Sequence, residues 1–328
     1  MKYPEYNAHR HKRVASLASQ RWKDFSAIGS TTAAERCASL DLAPRPISQG
    51  EFRRLQALIY KESGIWLSEV KTALLTGRLS KRLRALKFDT FAEYYDRVSV
   101  DDEERRTMLD AITTNETHFF REPTHFQFLE RQVLPAWQAE AAAGKRSRTI
   151  RVWSAGCSTG QEPYSLAMLL VDRLPATQGW TVEILATDLS RRVLNIAEEG
   201  VWDAAKCQGI PLQYMRAFML KGLGENQGKM KAAPSVRVIR FMRLNLNDCA
   251  YPGIGAFDLI FCRNVLIYFD AEGRRRVIGQ LLRHLAPQAY LFVGHAESLN
   301  SVCPSLQCVI PTVYSRSSQG EVKHAARR

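Results

Sequence analysis

The sequence predicts an α/β domain preceded by an all-α helical bundle, and three observations support this prediction. From Arg148 onward, apolar runs of strand length alternate with helical segments, which is typical of a mostly parallel sheet with helices on both faces. Residues 47–120 instead hold short, closely spaced helical patterns. The chain has 328 residues, which is longer than a typical domain with a single hydrophobic core, so we expect two domains.

The helical domain is expected over residues 47–120, after an N-terminal extension. Residues 1–46 lack sustained periodicity and end in Pro44-Arg45-Pro46, so we expect a flexible segment there. Ser48, with Glu51 three residues later, forms a capping box that predicts the start of a helix. Further helices are predicted at Glu69–Leu86, Thr90–Val98 and Asp101–Ile112.

The α/β domain is expected over residues 148–315, after a linker and connecting helix at 121–147. Its predicted strands are the runs RVWSA, VEILATD, VIRFMRLNL, FDLIFCRN and YLFVGH. A long stretch before VIRFMRLNL breaks the alternation, and an unstructured loop of that length would be unusual. We therefore predict an inserted subdomain at about 203–236, formed by a helix and an antiparallel hairpin. The basic segment 316–328 is predicted to be a disordered tail.

The stretch Ile150–Leu170 points to a ligand site, because a strand there breaks into a glycine-bracketed loop and restarts as a helix. Gly156 and Gly160 would let the backbone approach a ligand closely. The helix start, with Pro163 in its first turn, would offer free N–H groups. The pattern predicts that a small molecule binds at the carboxyl edge of the sheet.

Polar residues follow other predicted strands at the same edge. Asp188 ends the second strand, where an acid commonly accepts hydrogen bonds from ribose hydroxyls; the alternative is that it caps the helix at Arg191–Glu199. Asn245-Leu246, Arg263-Asn264 and Tyr268 follow later strands. The loop GCSTGQEP is wider than a dinucleotide fingerprint and ends in the acid Glu162. Glu162 would repel a pyrophosphate and suits the ammonium and sulfonium of S-adenosylmethionine.

Six motifs in order make the prediction more specific: TTNETHFFRE, VWSAGCSTGQEPYS, ATDLS, NLND, FDLIFCRNVLIYFD and YLFVGHAESL. Together they closely resemble the chemotaxis receptor glutamate O-methyltransferases, the CheR family, over about residues 47 to 315. The resemblance implies a class I S-adenosylmethionine-dependent methyltransferase (Rossmann-like) domain with a small inserted β-subdomain, preceded by the all-α domain.

Carried over by position, the resemblance implies a set of cofactor contacts. These are Asn115, Thr117, Arg121, Asp188, Asn245, Leu246, Arg263 and Asn264. The loop residues Gly156, Gln161 and Glu162 are added to this set, and the linker around Asn115 would close over the cofactor. The family often has Glu where this chain has Gln161, which leaves amide hydrogen bonding, and Glu162, for the methionine ammonium. The product would be S-adenosylhomocysteine.

The resemblance also implies a mechanism and a partner. A glutamate side chain is ionised at neutral pH, so it would attack the sulfonium methyl without a general base. Tyr268 would position the acceptor oxygen, and Arg263 or Arg121 would orient carboxylates. The basic helix at 71–87 would meet a glutamate-rich receptor bundle. Its docking residues would be Lys81, Arg82 and Arg84. The GLGENQG loop of the insert resembles family members that tether to a C-terminal receptor peptide.

Composition narrows the alternatives. The net charge of +13 favours an acidic partner, so a nucleic-acid methyltransferase is an alternative function. Such enzymes usually carry an NPPY-like motif at a strand end, where this chain has RNVLIYF, and this difference argues against that alternative. An inactive S-adenosylmethionine-binding regulatory protein is the other rival. The seven cysteines lack metal-site spacing, so we expect no metal site and a reducing cytoplasm. We also expect a monomer with no nucleic-acid partner and no membrane insertion.

Overall fold

The computed structural model describes residues 45–299, 303 and 305–316. The flexible extension predicted for 1–46 lies almost wholly outside these residues, as does the tail predicted for 316–328. Within the described range, no helix is long and apolar enough to cross a membrane.

Four α-helices form the N-terminal domain. They are α1 (Gln49–Ser63), α2 (Thr72–Leu86), α3 (Phe91–Val100) and α4 (Asp102–Ile112), with a 3-10 turn (Glu69–Lys71) before α2. The predicted capping box is confirmed, since the Ser48 hydroxyl accepts from the Glu51 N–H and the Glu51 carboxylate accepts from the Ser48 N–H. Leucines at three- and four-residue spacing bury one face of α2 in the domain's core, which leaves its basic residues on the other faces.

A connecting segment follows, formed by α5 (Pro123–Phe128), a π-helical stretch (Leu129–Val133) and α6 (Leu134–Ala142). Its apolar side chains join the large core on one face of the central sheet.

The central sheet has seven strands in the order β6-β2-β1-β7-β8-β10-β9. Its strands are β1 (Thr149–Ala155), β2 (Thr181–Asp188), β6 (Ile239–Arg243), β7 (Phe257–Cys262), β8 (Leu285–Val293), β9 (Leu306–Ile310) and β10 (Val313–Arg316). Neighbouring strands from β6 to β8 are parallel, and β10 and β9 are antiparallel. Helices α7 (Gln161–Arg173), α8 (Arg191–Glu199) and α10 (Ala271–Arg283) connect the parallel strands, as the α/β alternation predicts.

The insert is a three-stranded antiparallel sheet with one short helix. It consists of β3 (Val201–Asp203), α9 (Leu212–Phe218), β4 (Met219–Lys221) and β5 (Lys229–Ala232), in the sheet order β3-β5-β4. The helix and the hairpin match the sequence-based prediction, whereas β3 was not predicted. β3 has three residues and takes its pairing partner from β5, almost thirty residues later in the chain, so no local pattern marks it.

The helical domain contacts the carboxyl edge of the sheet directly. The Asn245 side-chain amide donates to the carbonyl of Glu62 at the end of α1, with the two atoms 2.7 Å apart. The Trp66 N–H donates to the Tyr268 carbonyl at 2.8 Å. These contacts place the region after α1 above the strand ends, where an α/β sheet binds its ligands.

Candidate functional site

A cavity of about 420 Å³ lies between the helical domain and the carboxyl ends of β1, β2, β6 and β7. Most of the predicted cofactor residues line it, together with Tyr268. The lining includes Asn115, Thr117, Arg121, Gly156, Glu162, Asp188, Asn245, Leu246, Arg263 and Asn264. The structure therefore brings together residues as distant in the sequence as Asn115 and Tyr268.

The loop between β1 and α7 forms one wall of the cavity. Gly156 and Gly160 both have positive φ angles (84° and 96°), which favour glycine. A Cβ on Gly156 would lie 2.4 Å from Cγ2 of Val265, so the loop can approach the β7 end only without a side chain there. The Ser158 hydroxyl donates to the Asn115 carbonyl at 2.9 Å, which ties the interdomain linker to this loop.

Asp188 at the end of β2 does not cap α8, because the side chain of Ser190 does so by accepting from the Val193 N–H. The two oxygens of Asp188 accept from the N–H groups of Ser190 and Ser158, at 3.0 and 2.9 Å. Desolvation raises the pKa of this carboxyl, and the backbone hydrogen bonds only partly oppose that effect. Each carboxylate oxygen has a second lone pair for a further donor, such as a hydroxyl in the cavity.

Glu162 and Arg263 have different surroundings from those expected. Glu162 Oε2 accepts from Arg263 Nε at 2.7 Å, and Oε1 accepts from the Ser154 hydroxyl, also at 2.7 Å. Arg263 Nη1 donates to the Arg121 carbonyl at 2.6 Å. Glu162 lines the cavity and its carboxylate is paired with Arg263, and its contact with the methionine ammonium stays a prediction. Arg263 orients the carboxylate of Glu162, and its role toward a substrate carboxylate stays a prediction.

Gln161 is also placed differently from the prediction. Its side chain is buried, it accepts from the Thr159 hydroxyl at 2.8 Å, and it is not among the residues that line the cavity. The prediction that Gln161 meets the methionine ammonium is therefore not supported by its position. A neutral amide suits this buried position, since an unpaired carboxylate there would be costly.

Asn245 ties the two domains together. Its Nδ2 donates to Glu62 as described above, and its Oδ1 accepts from the Asn247 N–H at 3.0 Å. Asn245 also lines the cavity, and its contact with a base edge stays a prediction. Leu246, which is buried beside it, supplies an apolar part of the cavity wall.

Asn264 presents an unused acceptor. Its backbone adopts a left-handed conformation (φ 59°), and its buried Oδ1 has no hydrogen-bond partner among the described residues. A buried acceptor without a partner is destabilising unless a ligand supplies the donor. Asn264 and Asp188 are therefore the candidate acceptors for an ammonium or a hydroxyl among the residues that line the cavity.

Tyr268 lies in a 3-10 turn (Leu266–Tyr268) at the edge of the cavity, and its ring packs partly against the helical domain. Its hydroxyl makes no hydrogen bond with any described residue. Arg121 also lines the cavity, with Nη1 donating to the Glu116 carbonyl at 3.2 Å.

The three predicted docking residues on α2 differ in availability. Lys81 and Arg84 are exposed. Arg82 instead pairs with the buried carboxylate of Glu104 through both Nε and Nη2, with an Nε–Oε1 distance of 2.9 Å. The docking role predicted for Arg82 is therefore wrong, because its guanidinium holds α2 to α4.

Two basic residues were missed by the sequence interpretation. Lys71 and Arg78 line the cavity, and Arg78 Nη2 donates to the Thr114 hydroxyl at 2.7 Å. With Leu74 they recur at three- and four-residue spacing, so they share one face of the helix. That spacing is the signal that could have separated them from the other cations of this run.

One cluster has the composition of a metal site. Glu122, His125 and His295 each place a ligand atom within 4.8 Å of the others. Arg263 Nη1, however, lies 3.3 Å from His125 Nδ1 and 3.5 Å from a Glu122 oxygen. A metal ion beside that guanidinium would be repelled. Burial and the nearby Arg263 guanidinium lower the pKa of His125 to about 4, so the imidazole ring is neutral at pH 7. The neutral ring can accept a hydrogen bond from Arg263 Nη1.

Two family models match the chain, namely the all-alpha domain of the CheR methyltransferases over residues 50–113 and their SAM-binding domain over residues 115–314. The chain belongs to the CheR family. The resemblance drawn from its six motifs is confirmed.

Curated CheR relatives match along most of their length. The "Chemotaxis protein methyltransferase" of Borreliella burgdorferi is 36% identical over 274 residues, 83% of this chain and 95% of that protein. "Chemotaxis protein methyltransferase 2" of Pseudomonas aeruginosa is 36% identical over 266 residues, 81% of this chain and 92% of that protein. The Escherichia coli "Chemotaxis protein methyltransferase" is 34% identical over 275 residues, 83% of this chain and 92% of that protein.

As a CheR protein, the chain is a methyltransferase whose cofactor is S-adenosylmethionine. The cavity fits this cofactor, which carries sugar hydroxyls and an ammonium as donors. Asn264 and Asp188, whose side chains carry acceptor oxygens, are both among the residues that line the cavity. The predicted fold class, an all-α domain before a SAM-binding α/β domain, is also confirmed.

Proposed function

We propose that this protein is a protein-glutamate O-methyltransferase that transfers the methyl group of S-adenosylmethionine to glutamate side chains of chemotaxis receptors. The observation that carries the proposal is family membership along both domains, joined to a cavity that those two domains share. The relatives bear the name chemotaxis protein methyltransferase, which favours this activity over a nucleic-acid methyltransferase or an inactive regulatory protein.

In this proposal the described residues divide the work of holding the cofactor. Asp188 would accept from the ribose hydroxyls, Asn264 would accept from the ammonium, and Leu246 would pack against the base. Asn115, Thr117 and Arg121 close the cavity from the linker side. The ion pair of Glu162 and Arg263 stabilises the wall behind them.

S-adenosylmethionine supplies an activated methyl group when it is bound. The acceptor glutamate is ionised at neutral pH, so no protein group needs to remove a proton. The protein contributes by positioning the acceptor carboxylate in line with the methyl group and by excluding water from the site. The Tyr268 hydroxyl, which has no partner among the described residues, donates to the acceptor carboxylate and holds it in line.

The substrate partner is a glutamate-rich helical bundle of a methyl-accepting receptor. Lys81 and Arg84 on the exposed side of α2, with Lys71 and Arg78 at the cavity, complement its negative charge. A C-terminal receptor peptide would tether to the insert carrying the GLGENQG loop, of which β4 and β3 are the edge strands. We further propose that the protein acts as a monomer in the cytoplasm.

The test of this function is transfer of a radiolabelled methyl group from S-adenosylmethionine to receptor-containing membranes. Glutamyl methyl esters release their label as methanol in base. We expect base-labile label on the receptor band. Label on nucleic acid would favour the rival methyltransferase class, and no label despite tight cofactor binding would favour the regulatory protein.

A further inference from the structure

Glu297 is a buried carboxylate in the segment after β8, within the motif YLFVGHAESL. It is 3% exposed, and its hydrogen bonds to described residues all come from backbone N–H groups. Oε2 accepts from Asn264 at 2.6 Å and from Gly294 at 2.7 Å. Oε1 accepts from Ile267 at 3.0 Å. One side chain thus joins the loop after β8 to the loop after β7.

The loop after β7 needs an external partner of this kind. Asn264 has a left-handed φ of 59°, which leaves its N–H without a place in the strand ladder. At Gly294 a Cβ would lie 2.8 Å from the Asn264 nitrogen, so the two loops approach closely only because Gly294 has no side chain. The carboxylate fills the space between them and satisfies donors that would otherwise be buried without partners.

Two of these hydrogen-bonded positions, Asn264 and Ile267, line the cavity. Residues 264–268, here called the β7 loop, contribute Asn264, Val265, Ile267 and Tyr268 to the cavity lining, whereas Glu297 does not line it. Glu297 holds the two ends of this loop, at Asn264 and at Ile267, one residue before Tyr268. It therefore acts on the cavity only through the groups that it positions.

We propose that Glu297 is a positioning residue for methyl transfer. Resting on the proposed glutamate methyltransferase function, the inference is that its carboxylate fixes the β7 loop so that the Asn264 amide meets the cofactor and the Tyr268 hydroxyl meets the acceptor. Displacement of a reacting group by about 1 Å can cost a factor of about one hundred in rate, so a loosened loop lowers turnover.

A carboxylate is needed because both of its oxygens accept. In Glu297→Gln one oxygen becomes an NH₂ group, which would face a backbone N–H and cannot accept from it. Either the bond to Ile267 or the pair of bonds to Asn264 and Gly294 is lost, while the size of the side chain is unchanged. The matched control is Asp258→Asn at the amino end of β7, outside the cavity lining, where the carboxylate also accepts a backbone N–H, from Arg151 at 2.9 Å, and pairs with Arg146.

The experiment compares the full-length wild type, Glu297→Gln and Asp258→Asn in receptor methylation and in calorimetric binding of S-adenosylhomocysteine. We expect kcat of Glu297→Gln to fall about tenfold to one-hundredfold, with the receptor KM changed less than about threefold and kcat of the control unchanged. A wild-type kcat in Glu297→Gln would overturn the proposal, as would an equal loss in the control.

Amide hydrogen exchange gives a second readout that does not depend on activity. In the wild type, the N–H groups of Asn264 and Ile267 should exchange as slowly as those of β7, and in Glu297→Gln they should exchange at least about tenfold faster. Fast exchange in the wild type would overturn the proposal even where the variant does not fold. Absence of receptor methylation by the wild type, with these amides protected, would count against the proposed function and not against the role of Glu297 in holding the loop.

Discussion

Arg263 and Glu162 form a buried ion pair in the wall of the cofactor cavity, with Arg263 Nε 2.7 Å from Glu162 Oε2. The Arg263 side chain is 2% exposed and that of Glu162 11%. Each side chain has a further partner, the Arg121 carbonyl for Arg263 and the Ser154 hydroxyl for Glu162. The pair therefore connects β7, α7 and the interdomain linker, and its members stabilise the cavity rather than carry free charges.

Removing one partner of this pair should destabilise the fold. Glu162→Gln leaves the buried guanidinium with only the longer, 3.5 Å contact to the Glu122 carboxylate, and we expect the free energy of unfolding to fall by about 3 kcal/mol. Urea unfolding followed by circular dichroism would measure this. Glu183→Gln, which breaks the exposed pair with Arg151, is the control and should change stability by less than about 1 kcal/mol. Equal, small effects of both substitutions would contradict the structural role of the pair.

Gly156 should be intolerant of any side chain. In Gly156→Ala the new Cβ would meet Val265, and the positive φ of 84° would be strained as well. We expect the Kd for S-adenosylhomocysteine to rise at least about tenfold, because the loop between β1 and α7 would have to move away from the β7 loop. Gly279→Ala is the matched control, because a Cβ there meets nothing within 4 Å and the position is helical. Unchanged binding by Gly156→Ala would show that the cofactor does not depend on this approach.

Cofactor affinity should depend on the ionisation of Asp188. Desolvation raises its pKa above the ordinary value of 3.8, so protonation begins at a higher pH than for an exposed aspartate. Only the ionised form accepts from a hydroxyl with both oxygens, so affinity should weaken as the pH falls through the raised pKa. Calorimetric titration with S-adenosylhomocysteine over a pH series would measure this fall in affinity.

The stability effect of Asp188 has the opposite sign. A raised pKa means that the folded state holds the proton more tightly than the unfolded state. The stabilisation by protonated Asp188 is therefore present below the ordinary pKa and is lost as the pH rises through the raised pKa.

Asp188→Asn should bind the cofactor more weakly, and its affinity should no longer fall at acid pH. If the affinity of the variant fell at acid pH as that of the wild type does, the pH dependence would come from another group.

Tyr268 should affect turnover more than cofactor binding. In Tyr268→Phe the hydroxyl is removed and the ring packing is kept, so we expect kcat for receptor methylation to fall about tenfold or more with little change in the Kd for S-adenosylhomocysteine. Tyr290→Phe on β8, outside the cavity lining, is the control. Wild-type turnover by Tyr268→Phe at saturating receptor would eliminate the proposed role.

Receptor docking should depend on Lys81 and Arg84 and not on Arg82. The double variant K81E/R84E should raise the receptor KM severalfold, more so at low salt, with kcat unchanged. Arg82→Glu should instead lower thermal stability, because it places a second carboxylate beside buried Glu104. The double variant R131E/K145E, which reverses two exposed cations on and just after the connecting segment, controls for net charge. An unchanged KM in K81E/R84E would reject docking through α2.

Features encoded locally were predictable from the sequence. The Ser48–Glu51 capping box lies within four residues, and strand ends such as Asp188 follow from apolar runs in the sequence. The position of Asp188 on the cavity follows from the rule that parallel strands end at one sheet edge.

The partners of charged groups were not predictable in the same way. Glu162 and Arg263 are 101 residues apart, and Glu104 lies 22 residues from Arg82, so nothing local shows that their charges are paired. Gln161 was predicted to meet the methionine ammonium because the family often has Glu at this position. The helix that starts at this residue instead buries its side chain beneath the loop, a rotation that sequence spacing alone does not fix.

The most direct test of the central claim uses receptor fragments in which the acceptor glutamates are replaced by aspartate. With the wild-type fragment, label from S-adenosylmethionine should appear on the receptor and be released in base as methanol, and mass spectrometry should place the added methyl on glutamate. The aspartate fragment should take up at most a small fraction of that label. Base-stable label, or equal label on both fragments, would contradict glutamate O-methylation.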